Sequence, residues 1–329
     1  MAPRKTPQPF PTRPPWTPDA LSPSPDIAVV GDVMVEYILE KGDFPQLGTT
    51  RIIDDVQVEI GGPPINVLWH LTHLGRSPRL VACVGARDQA VLQQQLPEID
   101  WSRQSLLNRH DWTDTLIEFR DSAERFRALY VRVDPGAGIH DALQDEIGAP
   151  DCLILNGSRH AFLRTGFCQF IREARRRKRH CLIAFNPSYA IATYSSKELM
   201  DLLALADVTI LNRKEVACTL RFAGGTTRRK LSDSIPGILI ATDEDRGAVI
   251  WNGGKKTVVP SLSGLCGDFL GAGDGFFSGY LHQHLNRDTP LAASEFAARF
   301  AALVVRSQKI RPKVTTTAAL RYKPPSPRP

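Results

Sequence analysis

Short, continuous apolar runs alternate along the chain with longer stretches in which apolar residues recur every three or four positions. Ile27–Val30, Leu80–Val84, Cys152–Leu155, Cys181–Phe185, Val208–Leu211 and Gly237–Ala241 are apolar almost throughout, with Thr209 the one polar residue, which is the pattern of strands buried on both faces. The stretches 64–75, 160–178, 196–205 and 213–221 carry the helical period. Strand and helix in alternation predict an α/β fold with a mostly parallel central sheet covered by helices on both sides.

Two regions break the alternation and predict antiparallel strands instead. One is 36–59, including Arg51-Ile52-Ile53-Asp54-Asp55-Val56-Gln57-Val58. The other, 115–133, runs Thr115–Phe119 and then Phe126–Val133 across a polar turn at Asp121-Ser122. A small sheet appended to the α/β body would act as a lid. The chain shows no internal repeat.

Proline-rich ends frame this body. Residues 1–25 and 315–329 are predicted as extended or disordered tails around a domain at 26–314. They also explain the net charge of +6, because 306–329 holds seven basic residues and no acidic one, while the body is slightly acidic. A nucleic-acid-binding surface is therefore not expected. The basic run Arg175–His180 reads as the solvated end of a helix, where cations complement the dipole. No run approaches the length of a membrane span, and no secretory signal precedes the body, so a cytoplasmic protein with no membrane partner is expected. The six cysteines are scattered, with no Cys-x-x-Cys, and read as reduced core thiols. The pairs His70/His73 and His282/His284 lack a third ligand, which argues against zinc.

Candidate chemistry concentrates in Gly267-Asp268-Phe269-Leu270-Gly271-Ala272-Gly273-Asp274, a turn of small residues opening a helix. Free N–H groups at a helix start hold phosphate oxygens, and Gly271, Ala272 and Gly273 leave room for close approach. Asp274, just inside this anion hole, is placed to take a proton from an attacking hydroxyl. The same pattern also fits a plain helix cap.

Further segments decide between these readings. Val30-Gly31-Asp32-Val33-Met34-Val35-Glu36, Gly61-Gly62-Pro63-Pro64-Ile65-Asn66-Val67, Asn212-Arg213-Lys214-Glu215 and Asp268–Asp274 occur in one order along the chain. Together they resemble the first strand, the two signatures and the Asn-x-x-Glu motif of the ribokinase-like, or pfkB, family of carbohydrate and nucleoside kinases. Asn186-Pro187, Gly136-Ala137-Gly138 and Thr242 to Gly247 echo it more weakly. No Gly-x4-Gly-Lys-Ser/Thr is present, so a P-loop kinase is unsupported.

The resemblance implies a three-layer α/β/α sandwich with a small β-sheet lid, and transfer of phosphate from ATP, with Mg2+, to a hydroxyl of a small sugar-like substrate. Asp274 would be the general base and Gly271–Gly273 the anion hole. Asn212 and Glu215 would organise Mg2+ through water, with Thr242, Gly247 and Asp268 also on the nucleotide side. Asp32, Glu36, Gly61, Gly62 and Asn66 would meet the substrate. The Gly-Gly-Pro-Pro-Ile-Asn spelling leans towards a sugar. Lid strands of members often pair between subunits, which admits a homodimer.

Departures from the family pattern matter too. Glu36 stands where aspartate is usual, which pushes a carboxylate further into the pocket. Phe269-Leu270 replaces a threonine-containing pair and Lys309-Ile310 a Gly-Ala pair, arguing against a potassium site. Glu244 stands where a glycine often lies in the nucleotide loop. Arg125 and Arg127 are candidates for holding a substrate phosphate. Two alternatives stay open: a nucleoside kinase of the same fold, and a catalytically silent member kept for binding.

Overall fold

The computed structural model describes residues 24–39, 48–50, 52, 56–108, 111–120, 126–133, 138–243, 246–262 and 271–323. The Asp121-Ser122 turn, Arg125, Gly136, Ala137, Glu244, Cys266, Asp268, Phe269 and Leu270 lie outside these residues, as do most of both tails.

The expected strands form: β1 (Ile27–Val30), β4 (Pro78–Cys83), β8 (Cys152–Asn156), β9 (Leu182–Asn186), β10 (Val208–Asn212) and β11 (Ile238–Thr242). With β5 (Ser105–Leu107), β12 (Ala248–Asn252) and β13 (Lys255–Val259) they make a sheet in the order β13-β12-β11-β10-β9-β8-β1-β4-β5. Its β11–β12 and β12–β13 pairings are antiparallel and the others parallel, so β12 alone runs against the rest of the sheet. Every residue of β1, β8 and β9 is buried, as their unbroken apolar runs require.

Alternate residues feed two cores. Ala28, Val30, Leu153, Leu155, Ile183 and Phe185 face α3 (Ile139–Ile147), α4 (Ala161–Arg177), α5 (Ser196–Leu205), α6 (Arg213–Phe222) and α7 (Arg228–Ser234). Ile27, Val29, Ile154, Leu182 and Val208 face α1 (Pro63–His73), α8 (Ala272–His284) and α9 (Pro290–Ser307). A Cβ on Gly279 would lie 3.1 Å from Ala297 Cα, so the absence of a side chain there lets α8 and α9 pack backbone to backbone. His70 is fully buried with its ring edge-on to Phe300, and His282 accepts from Arg76, so these histidines serve packing.

The second sheet, in the order β3-β2-β6-β7, holds β2 (Met34–Leu39), β3 (Val56–Gly61), β6 (Asp114–Arg120) and β7 (Phe126–Val131). Its hairpin partners are antiparallel as expected, but β2 and β6 pair in parallel, joining the two regions into one lid. Register sorts its faces. Glu59, Glu36, Leu116 and Tyr130 form one cross-strand row, and Val58, Tyr37, Ile117 and Leu129 form a row on the opposite face.

Two expectations change. The periodic pattern does not foretell α2 (Ala86–Gln95), in which Leu92 is the one buried residue. The tail assigned to 315–329 begins too early. Thr315 caps α10 (Thr316–Arg321), Ala319 is buried against Leu74, Phe296, Phe300 and Val314, and Thr316 Oγ1 donates to the Leu74 carbonyl at 3.1 Å. The chain before it is strapped across α1 by a bond from Trp69 Nε1 to the Pro312 carbonyl, 3.0 Å. Burying one small apolar turn and using caps suffices to order a segment whose composition is basic.

Candidate active site

The carboxyl ends of β1, β8, β9, β10 and β11 open onto one crevice, the usual ligand position in an open parallel sheet. Asp274 enters it from the first turn of α8. Gly271 caps that helix with φ +77°, and a Cβ there would come within 3.1 Å of Ile310, so a larger residue would be both strained and crowded. The first helical bond runs from Gly275 N to Gly271 O, so no helical carbonyl takes the amides of Ala272, Gly273 and Asp274. Among the described residues, nothing lies within 4 Å of a Cβ built on Gly273, so none of them blocks the approach to these amides.

Asp274 Oδ2 accepts from Asn66 Nδ2 at 2.8 Å. Asn66 Oδ1 in turn accepts from Arg311 Nη1 at 3.2 Å, and Arg311 Nη2 donates to Glu59 at 2.7 Å. Desolvation pushes the Asp274 carboxyl up to about 6, against the opposing bond from Asn66. A carboxylate with that value is poised to accept a proton near neutral pH. Arg311 is a residue that sequence reasoning missed, because it was counted with the basic tail; its side chain is only 10% exposed.

Glu36 lies on the lid face that turns towards this relay. Its carboxylate sits over Gly61, where a Cβ would be 2.6 Å from Oε1. The extra methylene relative to aspartate is thus accommodated by the absence of a side chain at Gly61. Burial pushes Glu36 up to about 7, with Arg311 and the Gly62 amide pulling the other way. Gly62 has φ +104°, and its Cβ would collide with the Asp32 carbonyl at 2.4 Å.

Asp32 is 3% exposed, and both its oxygens are engaged: Oδ1 by Ser158 Oγ at 2.5 Å, Oδ2 by the Arg159 amide at 2.7 Å. It therefore anchors the loop after β8 as well as facing the crevice. Beside it, Asp114 Oδ2 accepts from Tyr130 OH at 2.5 Å and meets His160 Nε2 at 2.5 Å, tying lid to body. Burial opposes charge on His160, yet Asp114 and Asp32 raise it above its ordinary value. None of Asp114, Tyr130, Ser158, Arg159 or His160 belongs to a motif; they meet only in the fold.

On the other side of Gly273, a cavity of about 260 Å³ is lined by Thr242, Gly247, Val259, Leu262, Ala272 and Phe276, with Asn212 at its edge. Gly247, at φ +87°, has the Val259 carbonyl 2.2 Å from where a Cβ would stand, so the loop admits glycine alone. Asn212 and Glu215 form a capping box: Asn212 Oδ1 accepts from the Glu215 amide at 2.9 Å, and Glu215 Oε2 from the Asn212 amide at 2.8 Å. Burial, with Asp274 nearby, pushes Glu215 up to about 7 despite that bond. The structure therefore brings Asn66, Glu36 and Arg311 together around Asp274 on the lid side and Asn212, Thr242, Gly247, Ala272 and Gly273 together around the cavity, and it does not bring Arg127 to either group.

Residues 24–317 match the description pfkB family carbohydrate kinase. The chain belongs to this family. It is 23% identical to a nucleoside kinase of Methanocaldococcus jannaschii over 265 residues, 79% of this chain and 83% of that one. The fold is similar to that of Thermotoga maritima ribokinase, with TM-score 0.75 and 19% identity over 91% of this chain and all of that one. It is also similar to an Arabidopsis thaliana ribokinase complexed with ribose and ATP, with TM-score 0.72, 16% identity, and coverage of 91% and 98%. The four segments that resemble the family's motifs all lie within the matched residues. Among the described residues, no helix is long and apolar enough to cross a membrane.

Proposed function

We propose that this family member moves the γ-phosphoryl group of ATP onto a hydroxyl of a small sugar or nucleoside, with Asp274 as the general base. The observation that carries the reading is the Asp274 carboxylate, held by Asn66 and pushed up to about 6, beside free helix-start amides between an open cavity and the lid. Bound ATP with Mg2+ would supply the electrophilic phosphorus. Asp274 takes the proton of the accepting hydroxyl, and the amides at 272–274 hold negative charge gained by the transferred group. Glu36, Asn66 and the backbone at Gly61 and Gly62 orient the acceptor, with Asp32 behind them. Thr242 and Gly247 line the nucleotide side, and Asp268 is assigned to the same side by its motif.

Among the described residues, no three His, Cys, Asp or Glu side chains gather as a metal cage. Mg2+ fits nonetheless. It commonly takes one or two protein carboxylates plus phosphates and water, and Glu215 is a buried carboxylate whose charge a cation would relieve. Asn212 holds Glu215 in that position. The lid supports a homodimer: Tyr37, Val58 and Leu129, neighbours in one row, are 37%, 43% and 53% exposed on the face turned away from the site.

Asp274→Asn tests the central assignment. Turnover, read as ADP release, falls about 10²–10⁴-fold while substrate binding persists. Unchanged turnover would sink the assignment of the base.

A further inference from the structure

Arg159 is the first residue past Ser158 on the loop after β8, and its guanidinium lies between two tyrosine rings. The Tyr130 ring centroid is 4.2 Å away and that of Tyr189 4.1 Å away. Tyr130 comes from the lid row that also carries Glu36, and Tyr189 from the turn Ser188–Thr193 after β9. The arginine head is thus fixed by stacking at a point where lid and body meet over the crevice.

Stacking holds the plane of a guanidinium and leaves its N–H edge for an acceptor. Among the described residues, that edge has neither a hydrogen-bond acceptor nor a carboxylate within 4.0 Å, although two acids stand close by. Asp32 is engaged by Ser158 and the Arg159 backbone, and Asp114 by Tyr130, His160 and the Val133 amide. An arginine kept for packing alone would be expected to pair with one of them. Instead both acids are consumed by other donors. The backbone carbonyl of Arg159 also accepts from Arg164 at 2.7 Å and from Arg132 at 3.3 Å, so positive charge gathers along this wall. Beneath it, the Tyr189 hydroxyl and both amide atoms of the fully buried Asn156 have no hydrogen-bond partner among the described residues.

Across the crevice the chemistry is reversed. Glu36 and Glu59 share a lid row, and Arg311 there is already committed to Glu59 and Asn66. The crevice therefore offers acceptors for hydroxyls at the Asp274 end and, at the other, a guanidinium whose N–H edge meets no acceptor among the described residues.

We infer that the acceptor substrate is an anionic sugar or polyol, whose carboxylate or phosphate is bound by the stacked Arg159 guanidinium while a hydroxyl at its other end faces Asp274. This rests on the kinase reading for the hydroxyl end; the anion contact itself is a binding claim. A carboxylate and a phosphoryl oxygen pair both match the guanidinium fork, so the shared requirement is a bidentate anion. A neutral nucleoside would leave the fork unpaired.

Equilibrium titration by calorimetry of the full chain with two matched pairs tests it: glucose against gluconate, and fructose against fructose 6-phosphate. At least one anionic member binds about tenfold or more tightly than its neutral partner, as a charge-assisted bidentate pair allows. The preferred pair identifies the anion as carboxylate or phosphate. Arg159→Gln removes that preference, and Arg159→Lys, with charge but no fork, restores only part of it. Equal binding within both pairs, no binding of either anion, or a preference that survives Arg159→Gln overturns the inference. ADP release measured on the same ligands and on inosine separates the two claims. Anion-selective binding without ADP release from any of them counts against the kinase reading alone, and release with neutral sugars or inosine but no anion preference counts against the Arg159 inference alone.

Discussion

Asn66 and Asp274 stand 208 positions apart in sequence, and the side-chain amide of the first donates to the carboxylate of the second at 2.8 Å. That bond lowers the affinity of Asp274 for its proton, while desolvation raises it. Asn66→Leu removes the lowering contribution and leaves the desolvation. The acid limb of kcat/KM is expected to move to higher pH by about one to two units, the equivalent of one hydrogen bond to a charged group. A pH–rate profile of the variant reads this directly, and an acid limb that stays in place would show that Asp274 is not the titrating base.

Glu36 and Glu215, both pushed up to about 7, make the ligand-free protein pH-sensitive in a defined direction. Unfolded, each loses its proton near 4.5; folded, each keeps it until about 7. Between those values the folded state binds more protons, so stability falls as pH rises and then levels off. Urea midpoints measured from pH 4.5 to 8 are expected to decline and flatten, and Glu36→Gln to reduce the decline. Mg2+ should raise the midpoint more at pH 8 than at pH 5, since it needs Glu215 ionised.

Gly247→Ala places a Cβ 2.2 Å from the Val259 carbonyl at a φ of +87°. The strained loop is expected to lower stability by about 1–3 kcal/mol and to raise KM for ATP with little effect on KM for the acceptor. Denaturant melts and two substrate titrations check both halves. An acceptor KM that rises as much as that for ATP would detach this loop from the nucleotide side.

Val58 and Leu129 lie in one cross-strand row with Tyr37, on the lid face opposite Glu36. Val58→Lys combined with Leu129→Lys puts like charges on an apolar sheet face. If two lids pair, sedimentation velocity will report a dimer for the parent chain and a monomer for the double variant. A parent that is already monomeric at the concentrations used for turnover rules the lid contact out.

The local parts of this site were legible in sequence because each is a contiguous device. Gly271 through Asp274 spells a helix start, Asn212 and Glu215 a capping box, and Gly61-Gly62 a bare stretch of backbone. The apolar runs gave six of the parallel strands to within two residues, since burial on both faces leaves little polar pattern to misread, whereas the short, half-buried edge strand β5 carries no such run. Arg311 was illegible because its partners Asn66 and Glu59 are 245 and 252 residues away, and its neighbours Lys309 and Lys313 gave it the look of a solvated tail. Arg159 escaped for the same reason: its significance lies in two tyrosines from separate elements. The parallel pairing of β2 with β6 depends on register between strands that no local pattern links.

The strap from Arg311 through α10 has a consequence for synthesis. Everything that contributes the sheet, the lid and the base precedes residue 311, yet the cation that orients Asn66 towards Asp274 arrives with it. In a chain made from its N-terminus, every element of the sheet and the lid is synthesised before Arg311. Catalytic competence should thus appear as one of the last events of biogenesis, and a nonsense codon just ahead of Arg311 should leave a largely built body whose base has lost its tether.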